Sequence, residues 1–358
     1  MKNAFIVLAI ATVAAGACGG SAPQPTAQRQ AATPQPAPPQ GSAPRVYVTN
    51  EASGDLSVID TASQTVVTTL KLGKRPRGLA VSPDRSTLYV ALSGSPTAGP
   101  GVDESKLPPP DKSADGIGVV DLSTLRLVKV LRGGSDPEQV AVSRDGKQLF
   151  IANEDAGTLS VVDAGDGHIV ESVKIGGEPE GVAIRPDQAV VYVTSEADGK
   201  IFVVDRGTHK VAKSFEVPPR PRGIAFLPDG SRAYITSENG ATVTVADARK
   251  HDVIATIQLG EGVRPMGVVV APDGQFVYVT TGRSKMALII DPHANKVVGS
   301  IEAGPRPWGV TISADGKTLY TANGPSNDVS VIDLAARQVM KRIPVGRGPW
   351  GALFVDGR

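Results

Sequence analysis

The sequence predicts an all-β fold, a seven-bladed β-propeller with four-stranded blades and a ring closed by the C-terminal strand joining the N-terminal blade. Three observations predict it. Small apolar segments recur at Gly78, Gln139, Gly181, Gly223, Gly267, Gly309 and Gly351, in steps of 61, 42, 42, 44, 42 and 42 residues, so one 42-residue unit repeats seven times with a single 19-residue insertion. A fixed period of this length marks a repeat architecture. The 358 residues are 41% hydrophobic but only 4% aromatic, with 40 Gly and 29 Pro, so the core is Val, Ile, Leu and Ala in sheets joined by many turns, and a helical bundle is excluded. Finally, the repeat is circularly offset. It starts at Arg45-Val46-Tyr47-Val48-Thr49, the second strand of a unit, and stops at Gly351 to Val355, the first strand of one.

Each unit reads as four strands: a GVAV-like inner strand, a turn, a YVT-like strand, an SVID-like strand and a VVATI-like outer strand. The first turn carries Pro and Asp followed by Gly, as in Pro228-Asp229-Gly230, which is a type I turn closed by a left-handed residue. Two copies place Arg85 and Gln188 where that Gly belongs. The inner strand has the smallest side chains, as required where blades converge on an axis, and a C-terminal strand completing the first blade leaves no free edge.

Residues 1–17 combine Lys2 with an apolar run from Ala4 to Ala17, fourteen residues that are too short to span a bilayer and suit a cleaved lipoprotein signal peptide. Cys18, the single cysteine, follows Ala15-Gly16-Ala17 and so resembles a lipobox, with Ala15 where Leu is usual; it is the expected lipidation site. Residues 18–44 then form a Pro-, Ala- and Gln-rich tether with too little bulk to offset the entropy of ordering, and residues 45–358 form the propeller. The expected location is the cell envelope, on the periplasmic side of an outer membrane or on the cell surface, with membrane contact through the lipid alone. A net charge of about +1 implies no nucleic-acid partner, and the expected state is a monomer.

Most distinctive side chains belong to the scaffold. Tyr47, Tyr89, Tyr192, Tyr234, Tyr278 and Tyr320, with Phe150 in the third copy, share one repeat position and should pack blades together. Asp60, Asp121, Asp163, Asp205, Asp247, Asp291 and Asp333 recur at the end of the third strand, where a short carboxylate accepts hydrogen bonds from the following turn. The four histidines, His168, His209, His251 and His293, lie in those turns on different blades, too dispersed to converge on one metal. Neither a metal nor a cofactor is expected. No C-x-x-C-H, G-x-S-x-G or phosphate loop occurs, so no catalytic residue is assigned.

Tyr47-Val48-Thr49-Asn50 and Ser57-Val58-Ile59-Asp60 resemble the repeats of the YVTN family of β-propellers, and the resemblance covers residues 45–358. Within that family, Arg75-Pro76-Arg77-Gly78, Asp136-Pro137-Glu138, Glu178-Pro179-Glu180-Gly181, Arg220-Pro221-Arg222 and the Asn323 to Asp333 stretch are similar to propellers associated with PQQ-dependent alcohol catabolism. The resemblance implies an exported protein that accompanies a quinoprotein dehydrogenase or cytochrome.

One face carries the candidate site. The residue after the Pro that opens each inner strand forms a ring near the axis: Arg77, Glu138, Glu180, Arg222, Met266, Trp308 and Trp350, with both tryptophans of the chain in adjacent blades. Before the Pro stand Arg75, Asp136, Glu178, Arg220, Arg264 and Arg306, so an acidic sector from two blades should be flanked by basic ones. Exposed ion pairs between neighbouring loops and tryptophans plugging the channel mouth would explain this ring at about 0 to 1 kcal/mol per pair. A recognition surface explains it too, because Trp and Arg are enriched at binding hot spots. Its ligand is either an envelope protein or a planar anion stacked on Trp308 and Trp350 with Arg264 or Arg306 on its charges. The insertion at residues 93–115 rises on the same face, with Asp103, Glu104, Asp111 and Asp115 as weak calcium candidates. The expectation is therefore a lipid-anchored, non-catalytic binding or scaffold module, accessory to a PQQ-dependent alcohol dehydrogenase system. The alternative is a propeller enzyme of lactonase or lyase type, or a carrier of a non-covalent redox cofactor.

Overall fold

The computed structural model describes residues 43–97 and 106–357; the signal segment, Cys18 and nearly all of the tether lie outside them, as do Asp103 and Glu104. Among the described residues, twenty-eight strands form seven four-stranded antiparallel sheets. Numbering blades I to VII in chain order, blade I contains Arg45–Asn50, Asp55–Asp60 and Thr65–Lys71 and is completed by Pro349–Val355, which pairs with the first strand through Arg45↔Val355 and Tyr47↔Leu353. The inner strands of blades II to VII are Pro76–Val81, Pro137–Val142, Pro179–Ile184, Pro221–Phe226, Pro265–Val270 and Pro307–Ile312.

The apolar cores sit between blades. Tyr47, Leu56 and Val58 of blade I pack with Leu88, Val90 and Val120 of blade II, and Val46, Val48 and Ile59 pack on the other side with Tyr320, Val329 and Val331 of blade VII. All six tyrosines and Phe150 are buried, and truncating one such ring costs about 3–5 kcal/mol. The third-strand aspartates accept backbone N–H groups from the turns that follow, as Asp60 does from Ser63 at 2.8 Å and Asp333 from Ala336 at 2.8 Å. Arg85 and Gln188 adopt the left-handed conformation that Gly takes in the sibling turns, with φ of 59° and 66°.

Two local devices aim the inner strands at the axis. Each inner strand of blades II to VII opens with a bulge just after its Pro, as between Pro179 and Val182 in blade IV, and an inserted residue of this kind re-aims a side chain. The inner-strand glycine lets the next blade approach: a Cβ at Gly181 would meet the Arg222 carbonyl at 2.0 Å, and one at Gly267 the Trp308 carbonyl at 2.5 Å.

Candidate functional site

The threonine of the YVT-like strand fixes the ring residues. Thr280 Oγ1 accepts the N–H of Gly267 in its own blade at 3.0 Å and donates to the Trp308 carbonyl of the next blade at 2.7 Å. Thr236 repeats the pattern toward Gly223 and Met266, and Thr49 toward Gly351 and Arg77. One hydroxyl thus locks a bulge and ties it to its neighbour, so the ring is held on rigid elements.

Around the mouth of an axial cavity of about 220 Å³, the wall presents Glu180 and Arg222 on one side and Met266, Trp308 and Trp350 on the other. The indoles meet edge to face, with centroids 5.7 Å apart and planes at 66°. Arg77 lies over Trp350 at 5.2 Å, and Trp308 is contacted by Arg222 at 5.8 Å and Arg306 at 5.0 Å. The Trp350 Nε1 donor is buried without a partner.

A second ring, missed in the sequence, completes the charged side. It is the residue that begins the connection between second and third strands: Glu51, Ser93, Glu154, Glu196, Glu238, Gly282 and Gly324 in blades I to VII. The backbone N–H of Glu196 donates to the carbonyl of Glu178 at 3.0 Å, and Glu238 does the same to Arg220 at 2.8 Å. The signal was available, because four of seven repeats place Glu one residue beyond the YVT-N/S stretch.

Together the rings make two arginine-centred clusters. Arg222 of blade V contacts Glu180 of blade IV, Glu196 Oε1 at 2.8 Å and Glu238 Oε2 at 2.9 Å. Arg220 Nε adds a contact to Glu196 Oε2 at 2.7 Å and Arg264 Nη1 one to Glu238 Oε1 at 3.1 Å. Arg77 of blade II contacts Glu138 of blade III, Glu154 at 3.7 Å and Glu51 at 3.8 Å, while Arg75 holds Glu51 at 3.0 Å. The acidic residues of blades III and IV are flanked by the arginines of blades II and V as expected, and the second ring adds glutamates beside those arginines that the expectation lacked. The expectation of exposed pairs is corrected, since Arg77, Glu138, Glu180 and Arg222 are 6, 1, 8 and 8% exposed. Breaking a buried pair by removing one partner costs about 3–5 kcal/mol, well above an exposed one.

Burial and charge split the protonation states. Burial, then the adjacent Glu180, push the Glu196 carboxyl up to about 10. For Glu180 burial acts upward, but Arg222, the hydrogen bond with Glu196, and Arg77 outweigh it and hold the carboxyl below its ordinary range. Glu238 is also held low, by Arg222 and Arg220 against burial. Burial lowers Arg77 and raises Glu154. At neutral pH the Glu180–Glu196 pair therefore shares one proton, a carboxylate beside a carboxylic acid, and titrates as a unit. A hard cation would find its oxygen ligands at Asp136, Glu138 and Glu154, whose carboxylates approach within 4.8 Å of one another, in competition with Arg77.

The insertion is tied down beside the Arg77 cluster. Lys112 pairs with Asp155, Lys74 with Asp111 at 2.7 Å, and Arg75 Nη1 donates to the Ser95 carbonyl at 2.7 Å. Asp115, a weak calcium candidate in the sequence, instead accepts the N–H groups of Gly94 at 2.7 Å and Asp136 at 3.1 Å. The histidines stay on the opposite turns, where His251 accepts or donates to the Tyr192 hydroxyl at 2.6 Å.

Solved structures share the fold. Hydrazine synthase of Kuenenia stuttgartiensis is 22% identical with a TM-score of 0.69, covering 81% of this chain and 92% of that one. A proposed 6-phosphogluconolactonase of Bacteroides fragilis is 20% identical at 0.72, covering 87% and 98%, and one of Bacteroides uniformis is 19% identical at 0.71, covering 87% and 99%. No curated protein matches the sequence. The family model described as lactonase, 7-bladed beta-propeller, matches residues 48–341. That match overturns the expectation of a non-catalytic scaffold serving a quinoprotein dehydrogenase and favours the enzyme alternative; repeat-level resemblance had tracked the blade scaffold, which unrelated functions share. With most of its length matched, the chain belongs to the seven-bladed β-propeller lactonase family.

Proposed function

We propose that the protein hydrolyses a lactone at the axial site. The observation that carries this reading is the Glu180–Glu196 pair, one carboxyl held low and the other pushed up, clamped on Arg222, with Glu180 and Arg222 at the wall of the cavity and Glu196 behind them. Groups whose environments push their pKa values apart make an acid and base pair. Glu180 takes a proton from water, and the resulting hydroxide oxygen adds to the lactone carbonyl carbon. The buried, unpartnered Trp350 Nε1 is a donor for the developing oxyanion. On collapse the ring C–O bond breaks, and Glu196 gives its proton to the departing alkoxide. The proton on Glu180 then passes along their hydrogen bond to Glu196, restoring both states.

The family membership and the names given to the Bacteroides structures support the reaction class. The YVTN-like repeats remain a finer description of the scaffold. As a further part of this reading, the signal segment directs export and is cleaved, and lipid on Cys18 anchors the propeller to a membrane of the cell envelope, with residues 19–44 as spacer; Cys18→Ala should abolish palmitate incorporation. The central test is a pH-stat assay of the purified chain with a panel of γ- and δ-lactones. Hydrolysis that Glu180→Gln reduces by about 10²–10⁴-fold supports the reading; a folded protein inert toward every lactone refutes it.

A further inference from the structure

Resting on the lactonase reading, we infer that the substrate is a neutral lactone carrying an aromatic or compact apolar group, and not a sugar-phosphate lactone. The indole side of the mouth supplies the subsite. Met266 and Trp350 are 5 and 8% exposed and line the cavity with the half-buried Trp308, so an apolar group placed there leaves water for a thioether and two ring surfaces. Above Met266 and Trp308 the second ring has no side chains, because blades VI and VII carry Gly282 and Gly324 where blades I and III to V carry Glu. Space is therefore left open next to the indoles and filled next to the arginines.

Charge makes the same choice. A phosphate dianion needs uncommitted guanidinium groups, since bidentate charge-assisted bonds give such sites their strength. Five arginines of the mouth already face carboxyl groups: Arg75 and Arg77 face Glu51 and Glu138, Arg220 and Arg222 face Glu196 and Glu180, and Arg264 faces Glu238. Of the six arginines that stand directly before or after the inner-strand prolines, Arg306, which lies on Trp308, is the one with no carboxylate partner among the described residues. A phosphate at the cavity would thus enter beside the ionised Glu180 and Glu238, with Arg306 the one uncommitted arginine of those six to meet it. The same commitment disfavours the planar anion considered from sequence. A lactone's own polar atoms match what remains, with the orphan Trp350 N–H for its carbonyl oxygen and the Glu180–Glu196 pair for water and leaving group.

The experiment compares initial rates of the full chain on dihydrocoumarin, glucono-δ-lactone and 6-phosphoglucono-δ-lactone, together with quenching of indole fluorescence by the unreactive lactam 3,4-dihydro-2-quinolinone. The expected result is a kcat/KM for dihydrocoumarin at least about 100-fold above that for the phosphorylated lactone, as desolvated, unmatched charge is rejected strongly. Saturable quenching by the lactam is expected as well. Trp308→Ala should raise KM for dihydrocoumarin about tenfold while kcat changes little, the mark of lost ground-state binding. Preference for 6-phosphoglucono-δ-lactone or for glucono-δ-lactone overturns the apolar subsite and leaves the lactonase reading standing. No hydrolysis with retained lactam quenching overturns the lactonase reading and keeps the subsite as a binding site; neither hydrolysis nor quenching overturns both.

Discussion

The charged arc of blades II to V and the indole arc of blades VI, VII and I are built on one backbone motif: a Pro that opens the inner strand, a bulge that turns the next residue to the axis, and a following glycine in most repeats. Thr236 and Thr280 bind the motif in the same way on either side of the boundary, one to Met266 and the other to Trp308. The chemistry nonetheless differs completely. In the charged arc each central arginine is surrounded by glutamates from two rings, and burial makes their protonation states diverge. In blades VI and VII of the indole arc the second ring shrinks to glycine, so the large side chains of Met266 and Trp308 have room beside the axis, while blade I keeps Glu51 beside Arg75 and Arg77. A repeat scaffold can therefore divide labour around its ring, with acid–base groups on one side and binding surface on the other, without altering the backbone.

The comparison predicts that damage to the charged arc strikes chemistry and damage to the indole arc strikes binding. The largest effect is expected for Glu180→Gln, a loss in kcat of about 10²–10⁴-fold in steady-state assays with little change in KM. An equal loss from Trp308→Ala in kcat would erase the distinction. Next comes Arg222→Met, which leaves Glu180, Glu196 and Glu238 without their shared cation; denaturant unfolding should show about 3–5 kcal/mol of lost stability.

The pH profile sharpens the same contrast. The proposed mechanism requires Glu180 ionised and Glu196 protonated, so the rate should rise at pH below the ordinary glutamate range, stay flat through neutrality and fall near the Glu196 value of about 10. Glu196→Gln should remove the alkaline limb. Stability follows with a definite sign. Glu196 has a folded pKa above its ordinary 4.5, so its contribution is complete below that value and is lost as pH rises toward about 10. Glu238 and Glu180 are depressed and contribute oppositely, losing their share as the solution is acidified below the ordinary range. The smallest effect in this set belongs to the scaffold: Thr280→Val removes the hydrogen bonds to Gly267 and Trp308 and should cost about 1–3 kcal/mol, read in chemical denaturation, with KM affected before kcat.

Much of this was legible in the linear sequence because the fold is periodic. A 42-residue repeat assigns every residue to a strand position, so the buried tyrosines, the turn aspartates and the residues facing the axis follow from alignment of the copies alone. Glu51, Glu154, Glu196 and Glu238 were passed over because they follow a strand end, where a charged residue ordinarily meets solvent. Only the bulge of the adjacent inner strand, which brings Arg222 and Arg77 up to them, turns those positions inward. The function was misjudged for a related reason. Without histidine or a nucleophile on the axial face, no catalytic constellation was visible, and a carboxyl pair becomes an acid and a base through burial, which a one-dimensional pattern does not contain.

The sequence by itself determined the number of blades, the circular closure through Pro349–Val355, the face on which the ring stands and the division of that ring into charged and indole arcs. These depend on periodicity and on the short-range rules of turns and strands. The tertiary structure alone decided which glutamates surround each arginine, that these pairs are buried, that Glu180 and Glu196 share a proton and that the Trp350 N–H is left without a partner. Those properties arise from distances between residues on different strands and blades and from the exclusion of water, and both come into being only when the blades pack around the axis.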